Sequence, residues 1–422
     1  MIKKLIVLSL ILLSIKGFAQ KNNNSPYSFF GIGEETPQKT VEEMSMGEIG
    51  GAFNSSYQLT FTNPAALAYL QYTTYTIAGE NKSISINDGT NKGSASTASL
   101  SYFALGIPIG NKGGVSFGLQ PNTTVGYSLT EEFEDADGDL TEINFFEGSG
   151  GTNRVFLGFG YKLHKNVSIG LEASYVFGTI ENSLLNRRNG VQLATMHTTN
   201  SDLKGFTAKA GLQYSAKVSD KLTLKTGAVF HFKNNLSNEG DELLFSLVNT
   251  NDGTVSPRDT LVNNSFDNDI KKPLNTILSV GLGQENKWYA GLEYSFHNAI
   301  DFTNGVLADN TRLSHDKMSR VSVGGFYIPK INSISSYWQR ITYRAGFNMR
   351  QTGIAINNDK VNDLGMSFGV GLPIGKQLSN LNLGFEFGKR GEINNSLIKE
   401  NYFNFRLGLT LNDRWFVKRK IQ

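Results

Sequence analysis

The sequence predicts an all-β chain: a transmembrane antiparallel β-barrel of about fourteen strands, with an N-terminal hatch that contains a short helix. Three observations carry this. The stretch Asn166–Ile180, NVSIGLEASYVFGTI, alternates with period two. Val167, Ile169, Leu171, Ala173, Tyr175, Phe177 and Thr179 share one face; Ser168, Gly170, Glu172, Ser174 and Gly178 share the other. The run exceeds the roughly five or six residues of an ordinary strand and suits a tilted strand of about nine to eleven residues crossing a bilayer. The same alternation recurs to the end of the chain. The connections alternate between short and long, as in outer-membrane barrels with short inner turns and long outer loops.

Composition agrees. There are 45 Gly and 28 Phe against 9 Pro. Glycine leaves room on a lumen face, and aromatic rings suit lipid and its interface. A formal net charge of +3 is too small to argue for nucleic acid. With no cysteine, disulfides, thiolate metal sites and a thiol nucleophile are excluded.

Residues 1–19 read as a signal peptide: Lys3 and Lys4, an apolar run from Leu5 to Ile15, and Gly17-Phe18-Ala19 before the expected cleavage. Residues 20–71 lack the alternation and read as the hatch. Within it Asn63-Pro64-Ala65 is a helix start, with Asn63 as N-cap and Pro64 at the first helical position. The barrel is expected over 72–411, with strands near 72–80, 94–107, 114–128, 152–163, 166–180, 203–217, 221–234, 274–284, 287–298, 317–328, 339–351, 362–373, 379–388 and 400–411. Residues 412–422 form a basic tail.

An even strand count puts both termini at the periplasmic end, with the long connections 131–152, 181–200, 236–273 and 300–316 outside. Trp288, Trp338 and Trp415 then fall at the periplasmic interface, where amphipathic rings prefer to sit.

The alternation assigns charged residues to the lumen: Arg154, Glu172, Lys209, Lys225, Lys233, Glu293, Arg320, Arg344, Arg350, Glu386 and Arg406. The excess is positive, whereas the hatch carries Glu34, Glu35, Glu42, Glu43 and Glu48 against Lys21 and Lys39. The acidic hatch is expected to sit in the basic lumen, held by charge-assisted hydrogen bonds, with Arg344 and Arg406 as test positions. The alternative use of these cations is to attract an anionic solute. The acidic stretch Glu131–Asp139 reads as a solvated outer loop. The five histidines lack ligand spacing, and neither a GxSxG elbow nor a phosphate loop occurs. No catalytic residue, metal site or cofactor is expected.

Gly47–Phe53 (GEIGGAF) followed by Asn63–Leu67 (NPAAL) resembles the hatch of the FadL-type long-chain fatty-acid transporters and the related PorV-like barrels of Bacteroidota. The opening Ser25–Gly33 (SPYSFFGIG) and a signal ending in Ala-Gln are similar to starts of secreted Bacteroidota barrels. The resemblance implies an outer-membrane barrel for passive uptake of hydrophobic or amphipathic small molecules through a lateral opening. Pro121 makes the third strand the candidate for that opening. PorV-like relatives imply the alternative: a non-transporting accessory subunit of a larger outer-membrane complex for secretion or assembly. The partners expected are outer-membrane lipid, a hydrophobic ligand and other outer-membrane proteins.

Overall fold

A computed structural model describes residues 25–29, 31–249, 255–302, 313–375, 378–393 and 397–415. The expected signal peptide, Lys21 and the tail beyond Trp415 lie outside the described residues. Fourteen strands form the wall: β1 (Thr73–Asn87), β2 (Lys92–Ile109), β3 (Gly113–Glu134), β4 (Leu140–His164), β5 (Val167–Arg188), β6 (Leu193–Lys217), β7 (Thr223–His231), β8 (Asn275–Gln284), β9 (Trp288–His297), β10 (Met318–Tyr327), β11 (Thr342–Ile356), β12 (Asp359–Ile374), β13 (Ser379–Arg390) and β14 (Lys399–Asp413). Each pairs antiparallel with the next. β14 closes on β1 from Asp413↔Thr73 to Lys399↔Asn87. Closure removes the free edges of an open sheet.

The alternation sorts side chains as a membrane barrel requires. Leu171, Phe230 and Leu407 are exposed on the outer wall, while Glu172, Arg344 and Arg406 are buried inside. Among the described residues no helix is long and apolar enough to cross a membrane.

Three of the expected long loops are strands instead. β3–β4 and β5–β6 run on as hairpins to turns near 135–139 and 189–192. A further hairpin, Asn234–Asn249 with Val255–Lys272, extends β7 and β8 and pairs with the outer half of β6. The fourth, 300–316, holds short paired segments at Asp301–Phe302 and Leu313–His315; residues 303–312 lie outside the described residues. In the Glu131–Asp139 stretch, the Asp135 carboxylate accepts from the Asp137 and Asp139 amides and closes the exposed turn.

The hatch fills the lumen. It comprises a 3-10 turn at Pro26–Phe29, a two-residue strand at Glu34–Glu35, a helix at Val41–Met44 and a 3-10 turn at Pro64–Tyr69. Thr40 and Glu43 form a reciprocal capping box on the helix. The segment spans the barrel. Ser25 bonds Glu400 at the long-hairpin end, whereas Thr73 and Asp413 pair at the short-turn end. The first described residue and the end of β14 therefore lie at opposite ends, because the hatch threads the lumen before β1 begins.

Candidate functional site

Two features are candidates: the hatch lock and a gap in the wall. The lock starts with space. On the lumen face, Gly160, Gly170 and Gly211 lie against the Asn63-Pro64 backbone and side chain so closely that a Cβ would collide. Asn63 accepts from the Ala65 amide at 3.0 Å and donates to Gly51 O at 2.7 Å and Leu212 O at 3.2 Å. One side chain thus caps the turn, ties two hatch segments and docks them on β6.

Charge completes the lock. Glu48 meets Arg350 at 3.0 Å and makes a short pair with Arg320. Glu293 accepts from Lys39 at 3.2 Å, Arg320 at 3.1 Å, and the Gly50 and Gly51 amides at 2.9 and 2.8 Å. Lys209 binds Phe61 O and Glu172, which also takes Arg154 at 2.9 Å. Lys225 donates to Asn54 at 2.8 Å. Glu43 turns inward and accepts the Thr40, Phe61 and Thr62 amides; burial pushes its carboxyl up. Burial also opposes ionisation of Glu48, but Arg350 and Arg320 outweigh it and hold the carboxyl at about 2.

Some lumen residues do other work. Arg406 pairs with the wall carboxylates Glu80 and Glu386, at 3.0 and 2.7 Å, rather than with the hatch. Arg344 reaches the hatch through Asn382, which donates to Glu42. Lys233, expected on the lumen face, is exposed in the break after β7, where the chain leaves the strand at His231. Trp288 begins β9, Trp338 is exposed in a 3-10 turn, and Trp415 packs edge-on against Tyr75. Sequence reasoning did not select Arg390, which binds Glu34 at 2.6 Å and Asp363 at 3.2 Å, with Lys82 also on Glu34. Arg390 shares the parity of Glu386 on β13, so the alternation contained that signal.

The gap lies between β2 and β3. Their pairing runs from Ile109↔Gly113 to Phe103↔Leu119 and stops. Pro121 follows, and the register of β3 on β4 shifts between Pro121 and Thr123. A proline at a bulge loses no ladder bond, and a bulge bends its strand. Glycines stand beside it on β4 and β5: Gly151 (φ 142°) lies against Thr123 O and Gly178 (φ 157°) against Gly151 O, contacts that exclude a side chain. Glu34 and Glu35 pair with Thr124 and Thr123 on the side of β3 that β2 has left.

Cavities of about 170, 220 and 250 Å³ lie around the hatch. Each includes charged residues in its lining. The 250 Å³ cavity lies behind the gap, against Leu119, Pro121, Glu34, Glu80, Lys82 and Arg390.

The sequence profile of one family, BamG, matches residues 1–422. The chain belongs to the BamG family. No curated protein is similar to it in sequence. Solved structures are similar in fold. The Pseudomonas putida toluene transporter TodX superposes with a TM-score of 0.59 at 16% identity, over 90% of this chain and 99% of that one. A Pseudomonas aeruginosa FadL homologue gives 0.59 at 14%, over 90% and 99%. The Ralstonia pickettii toluene transporter TbuX gives 0.54 at 12%, over 89% and 99%. At these identities the likeness shows the fold: this BamG member is a closed β-barrel folded like the FadL homologue and the toluene transporters.

Proposed function

We propose that this BamG-family chain is a non-conducting accessory subunit of a larger outer-membrane complex. The observation that carries this is the ion-paired hatch. Glu48, Glu293 and Lys209 tie it to β6, β9, β10 and β11, and the cavities beside it are edged with charge. A pocket for an apolar solute is instead predominantly apolar, with few polar groups. The short-turn end, with Trp288, Trp338 and Trp415, faces the periplasm on this reading. Membrane lipid and other outer-membrane proteins are the partners; nucleic acid is not.

The stop in pairing at Leu119 favours a second reading, passive uptake of hydrophobic or amphipathic molecules through the wall. The named neighbours TodX and TbuX transport toluene, which fits that reading. Purification in mild detergent, with lipid analysis of the product, separates the two. Stoichiometric co-purifying outer-membrane protein without bound small molecule supports the subunit. A single chain carrying a bound apolar molecule supports uptake and overturns the subunit.

A further inference from the structure

The wall gap leaves part of β2 with one neighbour only. Residues Lys92–Tyr102 pair with β1 and have no pairing on the β3 side. Along that edge, backbone groups that would bond a neighbouring strand have none. Lipid cannot satisfy them, and each such group costs several kcal/mol in hydrocarbon.

The side chains beside this edge differ from the rest of the wall. Ladder rows carry Phe387 and Phe403 on β13 and β14, then Ser83 and Ser96 on β1 and β2. The next row carries Phe385 and Phe405, then Asn81 and Ala98. Asn81 and Ser83 bond Ser96 on the outer face, at 3.2 and 3.1 Å. The apolar belt therefore ends in a polar, small-residue strip next to the open edge. From Gly93 to Tyr102 the edge also has no proline and no charge, the usual devices that keep a free strand from pairing.

Resting on the subunit reading, we infer that the outer half of β2 is the docking edge for an extended segment of a different outer-membrane chain, which adds a strand beside Gly93–Tyr102. Main-chain bonds supply the affinity, and alternate side chains set the choice of partner. Inward positions of that segment face the cavity behind the gap, where carboxylates outnumber cations in the lining, so they suit Lys or Arg. Outward positions face lipid beside exposed Leu100, in rows that continue the Phe387–Phe403 and Phe385–Phe405 belt, so they suit apolar residues. The occupant is an alternating basic-in, apolar-out segment.

The test is hydrogen–deuterium exchange on the full chain, in the mild-detergent complex and after stripping to the single chain. Peptides over Gly93–Tyr102 are expected to exchange at least about tenfold more slowly in the complex, with β12 unchanged. A charge placed beside the edge, Ala98→Lys at an exposed position, is expected to cut co-purification by about tenfold without altering the heat-modifiable folding of the barrel. Equal exchange in both states, or Ala98→Lys binding as wild type, overturns the docking edge while leaving the subunit reading standing. A second copy of this chain as the sole occupant overturns it too. Failure to obtain any complex overturns the subunit reading itself.

Discussion

Glu48 takes a left-handed backbone conformation, φ 67°, directly after Gly47 at the same angle. For a residue with a side chain this costs about 1–3 kcal/mol and persists only where its surroundings impose it. Here Arg320 and Arg350 impose it by holding the carboxylate. Glu48→Gln takes the paired carboxylate from Arg350 and leaves Arg320 with Glu293 alone; it is expected to cost about 3–5 kcal/mol, read as faster protease cleavage within residues 25–70. The carboxyl, held at about 2 against an ordinary 4.5, adds stability that is full above 4.5 and is lost as pH falls through about 2. Hatch protection is expected to follow that curve, and Glu48→Gln to flatten it. Arg320→Gln is expected to loosen the hatch, whereas Arg406→Gln leaves it protected, because Arg406 serves Glu80 and Glu386. Alternation alone placed Arg320 and Arg350 on the inner face. It did not show which of the inward cations meet the hatch, since that depends on how a segment without periodicity folds.

At the scale of elements, the Asn63-Pro64 turn depends on both of its sides. Asn63→Ala removes a cap and two docking bonds and is expected to cost about 1–2 kcal/mol. Gly170→Val sets a branched side chain against the Pro64 carbonyl, so the hatch must move; a cost of about 1–3 kcal/mol or more is expected. Heat-modifiable gel mobility, with protease access to the hatch, measures both. The Asn63 cap is legible from residue types, and so is the Thr40-Val41-Glu42-Glu43 capping box. The outer hairpins were not legible as strands. In Asn234–Asn249, NNLSNEGDELLFSLVN, no lipid demands an apolar face, so the alternation fades while the ladder bonds continue. Pro121 did mark the bent strand, because proline in a closed wall is tolerated only where the ladder is already broken.

For the whole molecule, the lipid–lumen contrast made the barrel readable: Leu171, Phe230 and Leu407 face out, and Glu172, Arg344 and Arg406 face in. Strand number and closure followed from that contrast and from the short and long connections. The path of the hatch did not, because an even number of strands fixes where β1 starts and β14 ends but says nothing of the chain before Thr73. The contents of the lumen decide between a channel and a sealed subunit. Conductance of the purified full chain in a planar bilayer at neutral pH tests this most directly. The wild type is expected to give no channel steps, and Arg320→Gln with Glu48→Gln to give them. Steady open-pore steps from the wild type would contradict a sealed, hatch-locked barrel.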